Sequence, residues 1–372
     1  MVSRKYAPFF SLFAVLLLFG LIYLLIVAMT PVSPVSKIES ARSAISEARK
    51  VNAQKYAMNL LNDSEILYDQ TLERWKDENQ KFILWRNYSV IDSLALAVIE
   101  KAACARLRAL SNSRNLEISC QAKIEELELV CKKYETLITT LPFKGSIRNS
   151  YTSGKLHLQE AKLDYNQGNY TASLEKTVAA TQSIHKSVDE LHAQLDVYFH
   201  SYPQWKTWYD ETIQASVSQK SYAIIIDKMA HQCYVFKNGK LKNIFQTDLG
   251  KNWIGTKQFS GDGATPEGKY LVEKKLDLNH TKYHKALLIN YPGEADIKRF
   301  KLNISSGKLP NNSRIGGLIE IHGEGGKGVD WTDGCIALNN RDMDVVFRIA
   351  HTNTTVTIIG SIKPLSTILS PR

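Results

Sequence analysis

Gly317-Leu318-Ile319-Glu320-Ile321-His322-Gly323-Glu324-Gly325-Gly326-Lys327-Gly328-Val329-Asp330-Trp331-Thr332-Asp333-Gly334-Cys335-Ile336-Ala337-Leu338 is the stretch that decides the reading of this chain. It starts as an apolar strand ending in a histidine and passes through a glycine-rich loop. It finishes on a cysteine set between a glycine and a second apolar run. These residue types together are what thiol acyl transfer requires. The thiolate is the nucleophile, and a nearby imidazole removes the proton and later returns one. Gly334 lets the backbone turn tightly beside Cys335 and leaves the N–H groups of Gly334 and Cys335 to face a developing oxyanion.

The order of these residues, His322 in Ile-His-Gly and Cys335 in Thr-Asp-Gly-Cys-Ile-Ala-Leu, resembles the catalytic domain of the bacterial L,D-transpeptidases (YkuD type). Ala264-Thr265-Pro266-Glu267-Gly268-Lys269-Tyr270 resembles that family's Thr-Pro-x-Gly-x-aromatic segment. The resemblance covers roughly residues 220–361 and implies a mainly-β catalytic domain without a cofactor. It implies Cys335 as nucleophile, His322 as base, and peptidoglycan stem peptides as substrate. It also implies that a backbone carbonyl near Gly323 orients the ring. Asp333 is the alternative carboxylate, although its place beside the Gly-Cys turn suits a loop-structuring role better. The sequence departs from the family signature at two positions, with Asp333 where a second histidine is usual and Ala337 where Asn or Arg is usual. The spacing from His322 to Cys335 is also shorter. Nucleophile and base are retained while a polar group near the substrate is missing, so cross-linking and hydrolysis both remain open.

Other residues near these motifs invite roles. Gly250-Lys251-Asn252-Trp253-Ile254-Gly255-Thr256-Lys257 reads as a substrate loop, with Trp253 as apolar cover and Lys257 as an anion contact, or as a plain connection. Tyr283, Lys285 and Arg314 are candidate partners for the substrate's carboxylates. Gly325, Gly326 and Gly328 lack the Gly-Lys-Ser/Thr ending of a phosphate loop. Glu324, Asp330, His280, His284 and His351 match no compact ligand spacing, so no metal is expected.

Outward from this core, the strand-like period begins after Ser218. Tyr222 to Asp227 and Gln232 to Phe236 read as strands, and Lys237-Asn238-Gly239-Lys240 as a tight hairpin turn. Further strands are expected at Lys269–Lys274, Ala286–Asn290, Gly317–Ile321 and Val356–Ile359, with Asn340 capping a helix through Ala350. Lys37 to Ser218 reads as helices. Breaks are expected at Asn62-Asp63-Ser64, Ser111-Asn112-Ser113, Leu141-Pro142, Gly168-Asn169 and Tyr202-Pro203. The break at Ser111 would bring Cys104 and Cys120 together on antiparallel helices, where a disulfide is permitted outside the cytoplasm. Cys233 reads as a buried thiol, and Trp75, Trp85, Tyr88 and Tyr165 as core aromatics.

Phe9 to Met29 carries no charged side chain, and as a helix at ~1.5 Å per residue it would match a bilayer core. Arg4 and Lys5 before it favour a cytoplasmic N-terminus. Ile26-Val27-Ala28 lacks the small residue that signal cleavage needs, so the segment reads as an uncleaved single-pass anchor in the inner membrane. The whole is multidomain: residues 1–8 cytoplasmic, 9–29 a transmembrane helix, 30–36 a linker, 37–218 an all-α region, and 219–372 a mainly-β L,D-transpeptidase-like domain in the periplasm or cell-wall space. The net charge of +10 comes from lysines and arginines dispersed among acids, which excludes no class but argues against nucleic acid. A protein partner for the helical region and a non-catalytic wall-binding scaffold are the remaining readings.

Overall fold

The structure is a computed structural model and describes residues 7–143, 145–277 and 279–370. Arg4 and Lys5, the expected cytoplasmic flank, lie outside the described residues. Helix α1 (Ala7–Met29) is long and apolar enough to cross a membrane, and its side chains from Leu12 to Met29 are exposed. A helical region follows: α2 (Val35–Lys50), α3 (Ala53–Tyr56), α4 (Met58–Asn79), α5 (Ser89–Thr140), α6 (Gly145–Asn166), α7 (Tyr170–Phe199) and α8 (Tyr202–Ser218). The chain then forms one sheet domain. By contact the chain divides into two compact units, Met1–Glu125 with Gln159–Thr177, and Glu126–Leu158 with Val178–Arg372.

The core of the first unit is built from small side chains. Ala41, Ile45 and Ala48 of α2 are buried with Ala95, Val98, Ala102, Ala105 and Ala109 of α5. The alternation of three- and four-residue steps is the 3.5-residue period that keeps one seam of a helix against its neighbours. On α5 it continues through Cys120, Ile124, Leu127, Cys131, Tyr134 and Ile138, all buried. That unbroken stripe explains why the break expected at Ser111-Asn112-Ser113 does not occur. Packing overrides the weak local preference of Ser and Asn, and Asn112 donates its amide to Tyr56 O at 2.8 Å instead of capping a new helix. Asn62-Asp63-Ser64 likewise lies inside α4, where the Ser64 hydroxyl bonds Leu61 O. The Cys104–Cys120 disulfide is therefore excluded. Both lie on one helix about 24 Å apart at ~1.5 Å per residue, against the ~6 Å between Cα atoms that a disulfide spans. All five cysteines are free. Trp85 is 78% exposed, so it is not a core aromatic, whereas Tyr88 is buried.

In the second unit, eight strands form one sheet in the order β3-β2-β1-β8-β4-β5-β6-β7. These are β1 (Tyr222–Asp227), β2 (Gln232–Lys237), β3 (Lys240–Gln246), β4 (Gly268–Leu276), β5 (Ala286–Ile289), β6 (Glu320–His322), β7 (Ile336–Ala337) and β8 (Thr355–Ile359). β1 pairs with β8 in parallel, and so does β6 with β7; the other pairs are antiparallel. Asn238 and Gly239 both have positive φ, as a two-residue turn between β2 and β3 demands. Helices α9 (Glu294–Ser305), α10 (Asn340–Ile349) and α11 (Leu365–Leu369) complete the domain. The strand expected from Gly317 is shorter, because Gly316 and Leu318 both take positive φ and break the extended run. The cap of α10 is Asn339, which accepts from Asp342 N at 2.9 Å. Asn340 instead accepts from Glu324 N at 2.7 Å and ties the helix to the glycine-rich loop.

A buried ion pair joins α7 and α8 to the sheet domain. Lys228 and Glu267 lie 2.7 Å apart, and Glu267 also accepts from Tyr198 OH at 2.9 Å and Trp205 Nε1 at 3.0 Å. Lys228 completes its shell with Gly255 O and Thr265 O. Every buried polar atom of the pair is thereby matched, which such a pair needs if it is not to be destabilising.

Candidate active site

β6 and β7 create the site. Their parallel register pairs Ile321 with Ile336 and His322 with Ala337. Carrying the register back one residue sets Cys335 across from Glu320. Because side chains two apart on a strand share a face, His322, Glu320 and Cys335 lie on the same side of the sheet. The Cys335 thiol donates to Leu318 O at 3.6 Å, on the segment that leads into β6.

His322 is fully buried and tightly held. Its Nδ1 donates to Gly323 O at 2.6 Å. The carbonyl fixes the tautomer, so Nε2 keeps its lone pair. Nε2 is buried and has no hydrogen-bond partner among the described residues. The Tyr283 ring stacks on the imidazole at 3.6 Å between centroids, and Trp331 meets it edge-on at 5.8 Å. Burial drives the imidazole down to about 4, only partly offset by the Gly323 bond. Burial likewise pushes the Cys335 thiol up to about 11, against the favourable Glu320 N–H. The resting pair is thus a neutral thiol and a neutral imidazole with an open acceptor nitrogen.

The Gly334 turn is backed by the Thr-Pro-Glu-Gly segment. Gly334 has φ +133°, and a Cβ there would lie 2.6 Å from Ala264 O, so only glycine fits. Its N–H does not face an open oxyanion position, because it donates to the Thr332 hydroxyl at 3.2 Å, which in turn donates to Cys335 O. This corrects the expectation for Gly334, whose N–H is already engaged.

Several sequence-predicted residues lie elsewhere. Trp253 is fully buried against His231 and Tyr198, so it is core and not a cover for substrate. Lys257 is 3% exposed; its ammonium pairs with Asp262 at 2.7 Å and reaches Asp333 O, bracing the turn and leaving no charge for an anion. Lys285 pairs with Asp344 of α10, and Arg314 is exposed on a loop where its carbonyl accepts from Ser260 N. Asp333 is exposed and pairs with Lys251 at 3.3 Å, while the ring nitrogen of His322 is taken by Gly323 O. Tyr283 alone of the proposed substrate contacts touches His322.

Two residues went unread in sequence. Glu320 is half-buried beside Cys335, and burial raises its carboxyl above the usual range despite Lys282 nearby. Its signal was available, since it stands two residues before His322 on the same strand. Asp248 is the anchor of the glycine-rich loop, accepting from Lys327 N, Gly328 N and Trp331 Nε1 at 3.0–3.3 Å. Nothing local marks it, because its partners lie 79 to 83 residues away.

Residues 221–358 match the family model of the L,D-transpeptidase catalytic domain, YkuD. No curated protein matches the chain. Solved structures similar to it include an L,D-transpeptidase from Mycobacterium smegmatis (13% identity, 37% of this chain and 58% of that chain, TM-score 0.25). A second is the L,D-transpeptidase of Xylanimonas cellulosilytica (13%, 38% and 61%, 0.26). A third is L,D-transpeptidase 1 of Mycobacterium tuberculosis (15%, 38% and 62%, 0.24). The aligned part spans less than two thirds of each of those chains.

Proposed function

We propose that this chain is a membrane-anchored peptidoglycan L,D-transpeptidase, with residues 9–29 as the anchor in the inner membrane and residues 219–372 as the catalytic domain outside it. His322 Nε2 takes the Cys335 proton as sulfur attacks the carbonyl that precedes a terminal D-alanine. The C–S bond forms, the C–N bond breaks, and the imidazolium returns the proton to the leaving amine. A stem-peptide amine then attacks the thioester, forms the cross-link and regenerates the thiol. Cys335 N–H donates to the oxyanion. The observation that carries the reading is the open Nε2 of a neutral His322 on the face of the sheet that Cys335 shares, inside a domain matched by the transpeptidase family.

Hydrolysis is the second reading, favoured by one observation. Ala337, where the family carries Asn or Arg, is buried and apolar, so it offers no polar contact to hold an acceptor. Water would then resolve the thioester, giving a carboxypeptidase or amidase. The deciding experiment incubates the detergent-solubilised chain and its Cys335→Ala variant with purified tetrapeptide muropeptides, read by mass spectrometry. A Cys335-dependent dimer lacking one D-alanine supports transfer, and a Cys335-dependent trimmed monomer supports hydrolysis. No Cys335-dependent product sinks both.

A further inference from the structure

A cleft of about 1470 Å³ lies within the second unit, between the C-terminal part of α5 from Leu129 to Thr140, the sheet domain and α11. It exceeds the ~300–1,000 Å³ that suits small molecules, which points to a length of polymer. The charges along it are unequal. Lys132, Lys133 and Lys363 are exposed in its walls and have no carboxylate partner among the described residues. Its two acids are already committed: Asp248 to the N–H groups of the glycine-rich loop, and Asp330 to His231 at 3.0 Å and Leu249 N at 2.8 Å. Leu129 and Val329, 69% and 61% exposed, add apolar surface on opposing walls. Gly326, Gly328 and Asp330 of the cleft's lining belong to the same glycine-rich loop as Trp331, which packs on His322.

We propose that this cleft binds a carboxylate-bearing strand of the cell-wall polymer, with Lys132 and Lys133 on one wall and Lys363 on the other holding its carboxylates. The helical region thereby supplies one wall of a strand-binding groove whose other wall includes the glycine-rich loop between His322 and Cys335. The proposal rests on the reading of the chain as a wall enzyme, and names where the polymer lies. An anionic membrane surface is disfavoured because the positive groups face into a concavity.

The test is co-sedimentation of the full-length protein in detergent with purified peptidoglycan sacculi, native and carboxyl-amidated, and with liposomes containing anionic lipid. The variants are Lys363→Glu alone and Lys132→Glu/Lys133→Glu/Lys363→Glu, with thermal melts to confirm folding. Expected is a loss of about tenfold or more in affinity for native sacculi in the triple variant, a smaller loss in the single, and equally weak binding of amidated sacculi by the unmodified protein. Native sacculi bound alike by all three proteins, or amidated sacculi bound as tightly as native ones, overturn the proposal. So does a loss confined to liposomes. Turnover of a soluble tetrapeptide is expected to be unchanged in the variants. A chain that shows the charge-dependent sacculus binding but turns over no tetrapeptide would sink the catalytic reading and leave this one standing.

Discussion

His322 and Cys335 are each held neutral by the same cause, removal from water, acting in opposite directions on a base and an acid. With the thiol raised to about 11, only about one molecule in ten thousand is a thiolate at pH 7. Alkylation of Cys335 by iodoacetamide, followed by peptide mass spectrometry, is therefore expected to accelerate about tenfold per pH unit from 7 to 10. A plateau reached below pH 8 would instead indicate a preformed thiolate–imidazolium pair. His322 also makes the fold sensitive to acid. Its folded-state value of about 4 lies below the ordinary ~6.5, so between those limits the unfolded chain binds the extra proton. Stability contributed by the neutral ring is present above pH 6.5 and is lost as the pH falls towards 4. The His322→Gln variant is expected to show a flatter melting temperature across that window.

At the scale of elements, the Gly334 turn depends on a segment distant in sequence. Gly334→Ala brings a methyl to 2.6 Å from Ala264 O at a φ that L-residues avoid. A cost of about 1–3 kcal/mol in denaturant unfolding is expected, with a larger fractional loss of activity because Cys335 moves with the turn. Glu267 is the matching case within that segment. Removing it in Glu267→Ala leaves the Lys228 ammonium buried without its counter-charge and strips acceptors from Tyr198 and Trp205. Such losses cost about 3–5 kcal/mol, and the apolar double variant Lys228→Met/Glu267→Leu should recover most of it in the same unfolding experiment.

For the whole second unit, the helices α7 and α8 are part of what the sheet domain folds against. The Trp205 ring packs so closely on Gly360 that an added Cβ would lie 2.3 Å away, and Tyr198 packs on both Trp205 and Trp253. A fragment of residues 219–372 lacks both rings, whereas a fragment of residues 178–372 keeps them. The shorter fragment is expected to melt lower by about 10 °C or more in calorimetry, from the loss of two large buried aromatics. Equal melting temperatures would show that the sheet domain needs no helical support.

The chain's own sequence determined the parts that rest on local period and local chemistry. The apolar run before Thr30, the helical period to Ser218 and the Asn238-Gly239 turn were all legible, because each is written in residues a few places apart. What only the tertiary structure decided is where a residue's surroundings lie far along the chain. Trp253 and Lys257 read as substrate contacts until the fold buried one and paired the other. Ser111-Asn112-Ser113 read as a break until a packed stripe carried α5 through it. Glu320 acquired its place beside Cys335, and Asp248 its loop, only when strand pairing and loop closure brought them together. Burial sets a side chain's charge, freedom and reach, and burial is a property of the assembled fold.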